Sequence, residues 1–274
     1  MSRLASFLGI LLGVVLLAST MFDYQQQSFI SAFLNWQALL LVLGGTFAAA
    51  LINYPLNQVV SIFPGIYKVF ATESRSDEEL ITEIFDLATL AKRKGPLAIE
   101  NQLTDVEDKF FRHSLNEMLL YQDAEKLRSS LQTRLMTNRL QDLNSQEVFI
   151  NMASYSPAFG MMGTVMGLIV MMTTQINADM YSLVAAQSND MLSGLLHGMG
   201  LALVTTFYGV LLANLLFLPI AGKLKVLGEQ ELLRNEMIIH AVVAMKAQES
   251  PLLIKEQLKS FVHEKTQQRL GEMA

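Results

Sequence analysis

VFINMASYSPAFGMMGTVMGLIVMMTTQINA, running from Val148 to Ala178, contains no Asp, Glu, Lys or Arg. A helix needs about 20 apolar residues to cross the hydrocarbon core of a bilayer. A charge at its centre costs about 2.5–3.5 kcal/mol on the insertion scale. The stretch is therefore read as a membrane span, placed between Glu147 and Asp179. Three more follow by the same test: Leu4 to Phe22, about Trp36 to Tyr54 (ended by Pro55), and a charge-free interval between Asp190 and Lys223. The first span starts behind Ser2 and Arg3, as a signal peptide does. No small-residue cleavage site of the A-x-A kind follows it, so it is read as retained.

The composition agrees. Of 274 residues, 51% are hydrophobic and 16% charged, against about a quarter charged in soluble domains, which argues against a water-soluble enzyme. The net charge of −5 brings no basic excess for nucleic acid. The chain has no cysteine, which excludes disulfides and thiolate chemistry. No phosphate-binding glycine loop, paired catalytic carboxylates or nucleophile beside a base is found, so the reading is not an enzyme, with no cofactor and no metal.

Charge distribution sets the orientation. All 20 Lys and Arg lie at Arg3, between Lys68 and Arg139, or from Lys223 onward. The connection between the first two spans carries Asp23, and that between the last two carries Asp179, Asp190 and His197, neither with Lys or Arg. Positive residues accumulate on the cytoplasmic side, so both termini and the central segment are placed inside. The expected fold class is an all-α integral membrane protein with four transmembrane helices. Its expected parts are a first transmembrane hairpin (1–55), a cytoplasmic helical domain (56–148), a second transmembrane hairpin (149–222) and a cytoplasmic C-terminal tail (223–274).

Within the central segment a helix can be read with its ends. Ser76 stands three residues before Glu79 at capping-box spacing, with Asp77 and Glu78 in the first turn. Leu80, Ile84, Leu87 and Ala91 recur at helical spacing, Lys92, Arg93 and Lys94 fill the last turn, and Gly95-Pro96 ends it. A second amphipathic run covers about Asp105 to Leu120. A third, with Leu127, Leu131 and Leu135, can lead directly into the third span. Two readings of Lys92, Arg93 and Lys94 stand: a solvated cap complementing the helix dipole, and an electrostatic docking patch with Glu100 supplying the opposite sign.

The last two spans carry stripes of small residues: Ser156, Gly160, Thr164 and Gly167 on one, and Gly194, Gly198, Ala202, Thr206, Gly209 and Ala213 on the other. Small residues at this spacing let helix backbones approach closely in lipid. Thr164, Thr205 and Thr206 either bond back to their own helices or line a polar path offering oxygens to a hard cation. Pro157 and Pro219 mark kinks or termini, or else hinges. No Asp, Glu, Lys or Arg lies inside any span, yet ion transport ordinarily uses an ionisable side chain at depth. If ions pass here, the carboxylate must come from another polypeptide.

Three runs carry a family resemblance: Pro157-Ala-Phe-Gly-Met-Met-Gly-Thr-Val-Met-Gly-Leu168, Ala202-Leu-Val-Thr-Thr-Phe-Tyr-Gly-Val210 and Phe217-Leu-Pro-Ile-Ala-Gly-Lys-Leu224. Together with Leu43-Gly-Gly-Thr46 and Ala91-Lys-Arg-Lys-Gly-Pro-Leu-Ala-Ile-Glu100, they resemble the flagellar motor stator A subunit of the MotA/PomA family, in the MotA/TolQ/ExbB superfamily. The resemblance covers nearly the whole chain. It implies a bacterial inner-membrane motor driven by Na+ or H+, in which five A subunits surround two B subunits. Each B subunit brings one transmembrane helix, a membrane Asp and a peptidoglycan-binding domain, and the A ring pushes on the rotor protein FliG. It further implies that Pro157 and Pro219 are conformational prolines, that Lys92, Arg93 and Glu100 engage the rotor, and that Thr164 and Thr206, with Thr205 adjacent, line the cation site. Threonines there favour sodium over proton. One departure is the connection from about Thr174 to Leu195, longer than is usual in sodium-type members. The alternative is a related pentameric ion-driven motor energising a non-flagellar envelope process. A purely structural scaffold is the third reading.

Overall fold

The computed structural model describes residues 2–23, 28–29, 33–60, 64–65, 67, 76–181 and 188–262. They are helical throughout, apart from turns and one two-residue antiparallel pairing of β1 (Phe22–Asp23) with β2 (Ser28–Phe29). The chain divides into two compact units, one of residues 1–70 and 144–224, the other of residues 71–143 and 225–274.

The first unit contains α1 (Ser2–Thr20), α2 (Trp36–Asn53) and the short α3 (Leu56–Val60). It also holds the later part of α6 (Ala124–Tyr181), all of α7 (Ser188–Leu211) and the first turns of α8 (Leu218–Lys246). Asn35 caps α2 through its Oδ1, which accepts from the Ala38 N–H at 3.2 Å. Three helices among the described residues offer apolar segments long enough to cross a membrane, within Trp36–Asn53, Ala124–Thr173 and Gly194–Lys246. Leu11–Thr20 of α1 is a shorter apolar stretch by the same measure. The expected connection from Thr174 to Leu195 is mostly helix, because α6 continues to Tyr181 and α7 begins at Ser188. No Gly or Pro occurs from Leu168 to Ser193 to end a helix earlier. Residues 182–187 lie outside the described residues, whereas His197 stands inside α7, on an exposed position.

In the second unit α4 (Asp77–Lys94) keeps the predicted limits. Ser76 Oγ accepts from the Glu78 N–H, and Gly95 ends the helix at φ +88°, a left-handed value that glycine adopts without strain. A 3-10 segment (Pro96–Gln102) leads to α5 (Lys109–Leu120). This helix starts later than the amphipathic run at Asp105, because Asp108 is its cap: Oδ1 accepts from the Phe111 N–H at 2.9 Å. Helix α9 (Pro251–Lys259) packs on α4. Their shared core contains Leu80, Ile84, Ile99, Phe111, Leu115 and Met118, joined by Leu127 and Leu131 of α6 and Ile238 and Val242 of α8. Arg234 of α8 forms an ion pair with Asp108 at 3.5 Å.

Candidate functional site

The small residues of α6 and α7 form a seam in which backbones touch. A Cβ added to Gly209 lies 2.8 Å from the Ser156 carbonyl oxygen and 3.1 Å from the Pro157 Cα. A Cβ added to Gly167 lies 2.6 Å from the Gly198 oxygen, and one added to Gly198 lies 2.8 Å from the Gly167 oxygen. At Gly160 the Thr205 oxygen stands 3.0 Å away. Ser156 Oγ donates across the seam to the Gly209 carbonyl at 3.1 Å. Backbone approach of this kind is what holds helices together in lipid, where apolar side chains have little to gain from clustering.

The α6 residues that approach α7 include Gly163 as well as Ser156, Gly160 and Gly167: a Cβ added to Gly163 would lie 2.5 Å from the Thr205 side chain. The signal was present as a glycine in Gly-Met-Met-Gly163, but an adjacent Thr also fits a small-residue stripe.

The three threonines occupy different settings. Thr205 is fully buried, its side-chain atoms fill the space above Gly163, and its hydroxyl donates to the Ala202 carbonyl at 3.0 Å. Thr206 is partly buried and donates to the same carbonyl at 3.2 Å. Thr164 is partly exposed and donates to the Met161 carbonyl at 2.6 Å. A hydroxyl that gives its proton to a carbonyl keeps its oxygen lone pairs. Thr164 and Thr206 are both partly buried, whereas Thr205 is closed in by packing.

Pro157 sits on the seam opposite Gly209, inside an unbroken α6. Pro219 follows a π-helical turn, Leu212–Phe217, in which the Leu218 N–H donates to the Ala213 carbonyl five residues back. A proline ring collides with the carbonyl four residues before it, and a wider turn relieves that collision. Asn214 on this turn donates to the Val210 carbonyl at 2.9 Å.

Other contacts escaped the sequence reading. The Phe159 ring lies over Gly45, where a Cβ would come within 2.3 Å of it, so Leu43-Gly-Gly-Thr46 and Pro157-Ala-Phe-Gly160 are two halves of one contact. Asn53 donates to the Tyr155 hydroxyl at 3.0 Å, Asn151 donates to the Tyr54 hydroxyl, and Tyr208 donates to the Phe33 carbonyl. These pairs are far apart in sequence, so no local pattern announces them.

In the second unit, Lys92 Nζ donates to the Gln248 carbonyl at 2.5 Å. Arg93 is exposed at the end of α4, and Glu100 is exposed on the 3-10 segment. All three residues are exposed, and Lys92 in addition bonds within the fold. Among the described residues, no cluster of three or more His, Asp or Glu side chains could hold a metal ion.

Residues 102–237 match the MotA/TolQ/ExbB proton channel family. The chain is similar to motility protein A of Treponema phagedenis, 31% identical over 242 residues, covering 88% of this chain and 87% of that one. It is also similar to the chemotaxis protein PomA of Vibrio alginolyticus, 27% identical, covering 86% and 87%. A chain in the solved flagellar MotAB stator complex from Bacillus subtilis superposes with a TM-score of 0.79 at 25% identity, covering 96% of this chain and 97% of its own. With its apolar helices and glycine seam, the chain belongs to the motility protein A family, membrane-embedded ion-channel subunits and not enzymes.

Proposed function

We propose that this chain is the A-type stator subunit of a flagellar rotary motor, and that it couples cation flow, sodium in preference to proton, to torque on the rotor. The observation that carries the reading is the α6–α7 seam. It is built from backbone contacts and bordered by the Thr164 and Thr206 oxygens, and no Asp, Glu, Lys or Arg occurs from Val148 to Ala178 or from Met191 to Gly222. Such a wall offers neutral oxygens suited to a hard cation and lacks a titrating acid.

The acid then comes from a B-type subunit with one transmembrane helix, a membrane Asp and a peptidoglycan-binding domain. The resemblance to a MotAB stator complex supports that partner. On this reading the subunit forms a homopentamer in the bacterial inner membrane, crosses it four times, and keeps both termini in the cytoplasm. Its parts are the hairpins 1–55 and 149–222, the cytoplasmic domain 56–148 and the tail 223–274. Thr164 and Thr206 border the ion path, with Thr205 adjacent and packed over Gly163. Pro157 and Pro219 are the conformational prolines, and Lys92, Arg93 and Glu100 face the rotor protein FliG.

The test is co-expression with the B subunit in a stator-deleted cell, with tethered-cell rotation followed against sodium concentration. Loss of sodium-dependent rotation is expected when Thr164 and Thr206 are both changed to Val. Normal sodium dependence in that double variant sinks the sodium site. Unimpaired swimming after deletion of the gene, with an envelope defect instead, selects the non-flagellar motor.

A further inference from the structure

Asn214 is the only Asn or Gln between Met191 and Gly222, and it is exposed. A carboxamide at membrane depth is costly unless its polar atoms find partners. Its nitrogen has one: Nδ2 donates to the Val210 carbonyl at 2.9 Å. That bond also fixes which way the amide is turned, because a carbonyl accepts only from the nitrogen. Oδ1 keeps its lone pairs.

The π turn (Leu212–Phe217) adds a second oxygen at the same residue. In a helix the Asn214 carbonyl takes its N–H from four residues on, or from five where the turn is widened. The N–H four residues on, at Leu218, goes to Ala213. Five residues on stands Pro219, which has no N–H. Ala213 and Phe217 are buried in the cluster that holds Phe149 and Met152, so the turn is anchored on one side and Asn214 stands on the other. Backbone oxygen freed at membrane depth persists where protein covers it or where it lines a polar cavity.

Thr206, Val210 and Asn214 follow at intervals of one turn and so share a face of the helix. Eight residues put Asn214 about 12 Å from Thr206 along the axis, on the side of Lys223, the first charge after the span. We infer that Asn214 is a second station of the ion path, taking the cation from Thr206 towards the Lys223 end through Oδ1 and its main-chain carbonyl. The ligand is a hard cation, which prefers neutral oxygens, and carbonyls released at a break in a membrane helix supply them. The inference rests on the ion-path reading above and extends it to the π turn, which then does more than accommodate Pro219.

The experiment expresses the chain with its B subunit in stator-deleted cells and follows rotation of a low-drag bead against sodium concentration, with assembly checked by copurification. Absent or sodium-independent rotation of the wild type overturns the reading above, and this inference with it; every other outcome bears on Asn214 alone. Asn214→Ala is expected to lower the maximal speed at saturating sodium about two- to ten-fold, the worth of one polar contact. The half-saturating sodium concentration stays near the wild-type value, because entry past Thr206 is intact. Asn214→Asp keeps side-chain oxygen and adds charge, and is expected to lower that concentration. Leu216→Ala, an exposed position on the same turn, should rotate as the wild type does. Wild-type speed in Asn214→Ala, or an equal loss in Leu216→Ala, overturns the inference. If Asn214→Ala does not assemble, Asn214→Asp decides, and an unchanged half-saturating concentration overturns the inference. Failure of both variants to assemble assigns Asn214 to packing and overturns it as well.

Discussion

The α6–α7 seam and the α4–α5–α9 core are both helix packings, yet they are assembled from opposite materials. In the seam, glycine carries the contact, and large side chains such as Met161, Ile169 and Leu203 stand exposed on the outside. In the core, Ile84, Phe111 and Leu115 are fully buried, and the helix ends are fixed by Ser76, Asp108 and Gly95. The difference follows from the solvent. In water, removing apolar surface stabilises by about 25 cal/mol per Å². In lipid that gain is absent, so close backbone contact and interhelical hydrogen bonds decide which faces meet.

Phe111→Ala attacks the core at one of its largest side chains. It is expected to cost about 3–5 kcal/mol, read as loss of the second unit's protease resistance while membrane insertion persists. Equal loss of both would erase the contrast between the two packings. Gly167→Val attacks the seam, where the new Cβ meets backbone that cannot move aside. Overpacking of about 1–3 kcal/mol should lower the melting temperature of the detergent-solubilised complex, whereas Gly200→Ala, with open space around it, should leave that temperature unchanged.

Smaller effects sharpen the comparison. Asp108→Ala removes the α5 cap and the carboxylate beside Arg234, for an expected loss of about 1–2 kcal/mol in chemical denaturation of the purified complex. Ser156→Ala deletes one hydrogen bond across the seam and is expected to cost about 0.5–1.5 kcal/mol. Membrane proteins do not consistently strengthen such bonds, so a loss well above that range would assign Ser156 a part in fixing Pro157.

Much of the core was legible because water writes its preferences locally. The apolar period from Leu80 to Ala91, the Ser76 cap and the Gly95 stop all lie within one helix, and α4 has the limits they predict. The seam was half legible. Small residues announced close packing, but that Gly163 also faces Thr205 depends on the rotation of α6 against α7. The π turn before Pro219 escaped because it is a backbone response to a ring collision, and the residues Leu212–Phe217 carry no pattern for it.

By itself the sequence determined where lipid-compatible helices lie, which segments carry all the positive charge, and that no span holds a charged acid. Those properties are sums over single residues and need no neighbour. Only the tertiary structure decided that Thr205 is fully buried over Gly163 while Thr206 beside it is partly buried, that Phe159 occupies the space left by Gly45, and that Lys92 is bonded to Gln248. Each of these depends on the distance between atoms far apart in the chain, which the packing of one helix on another sets.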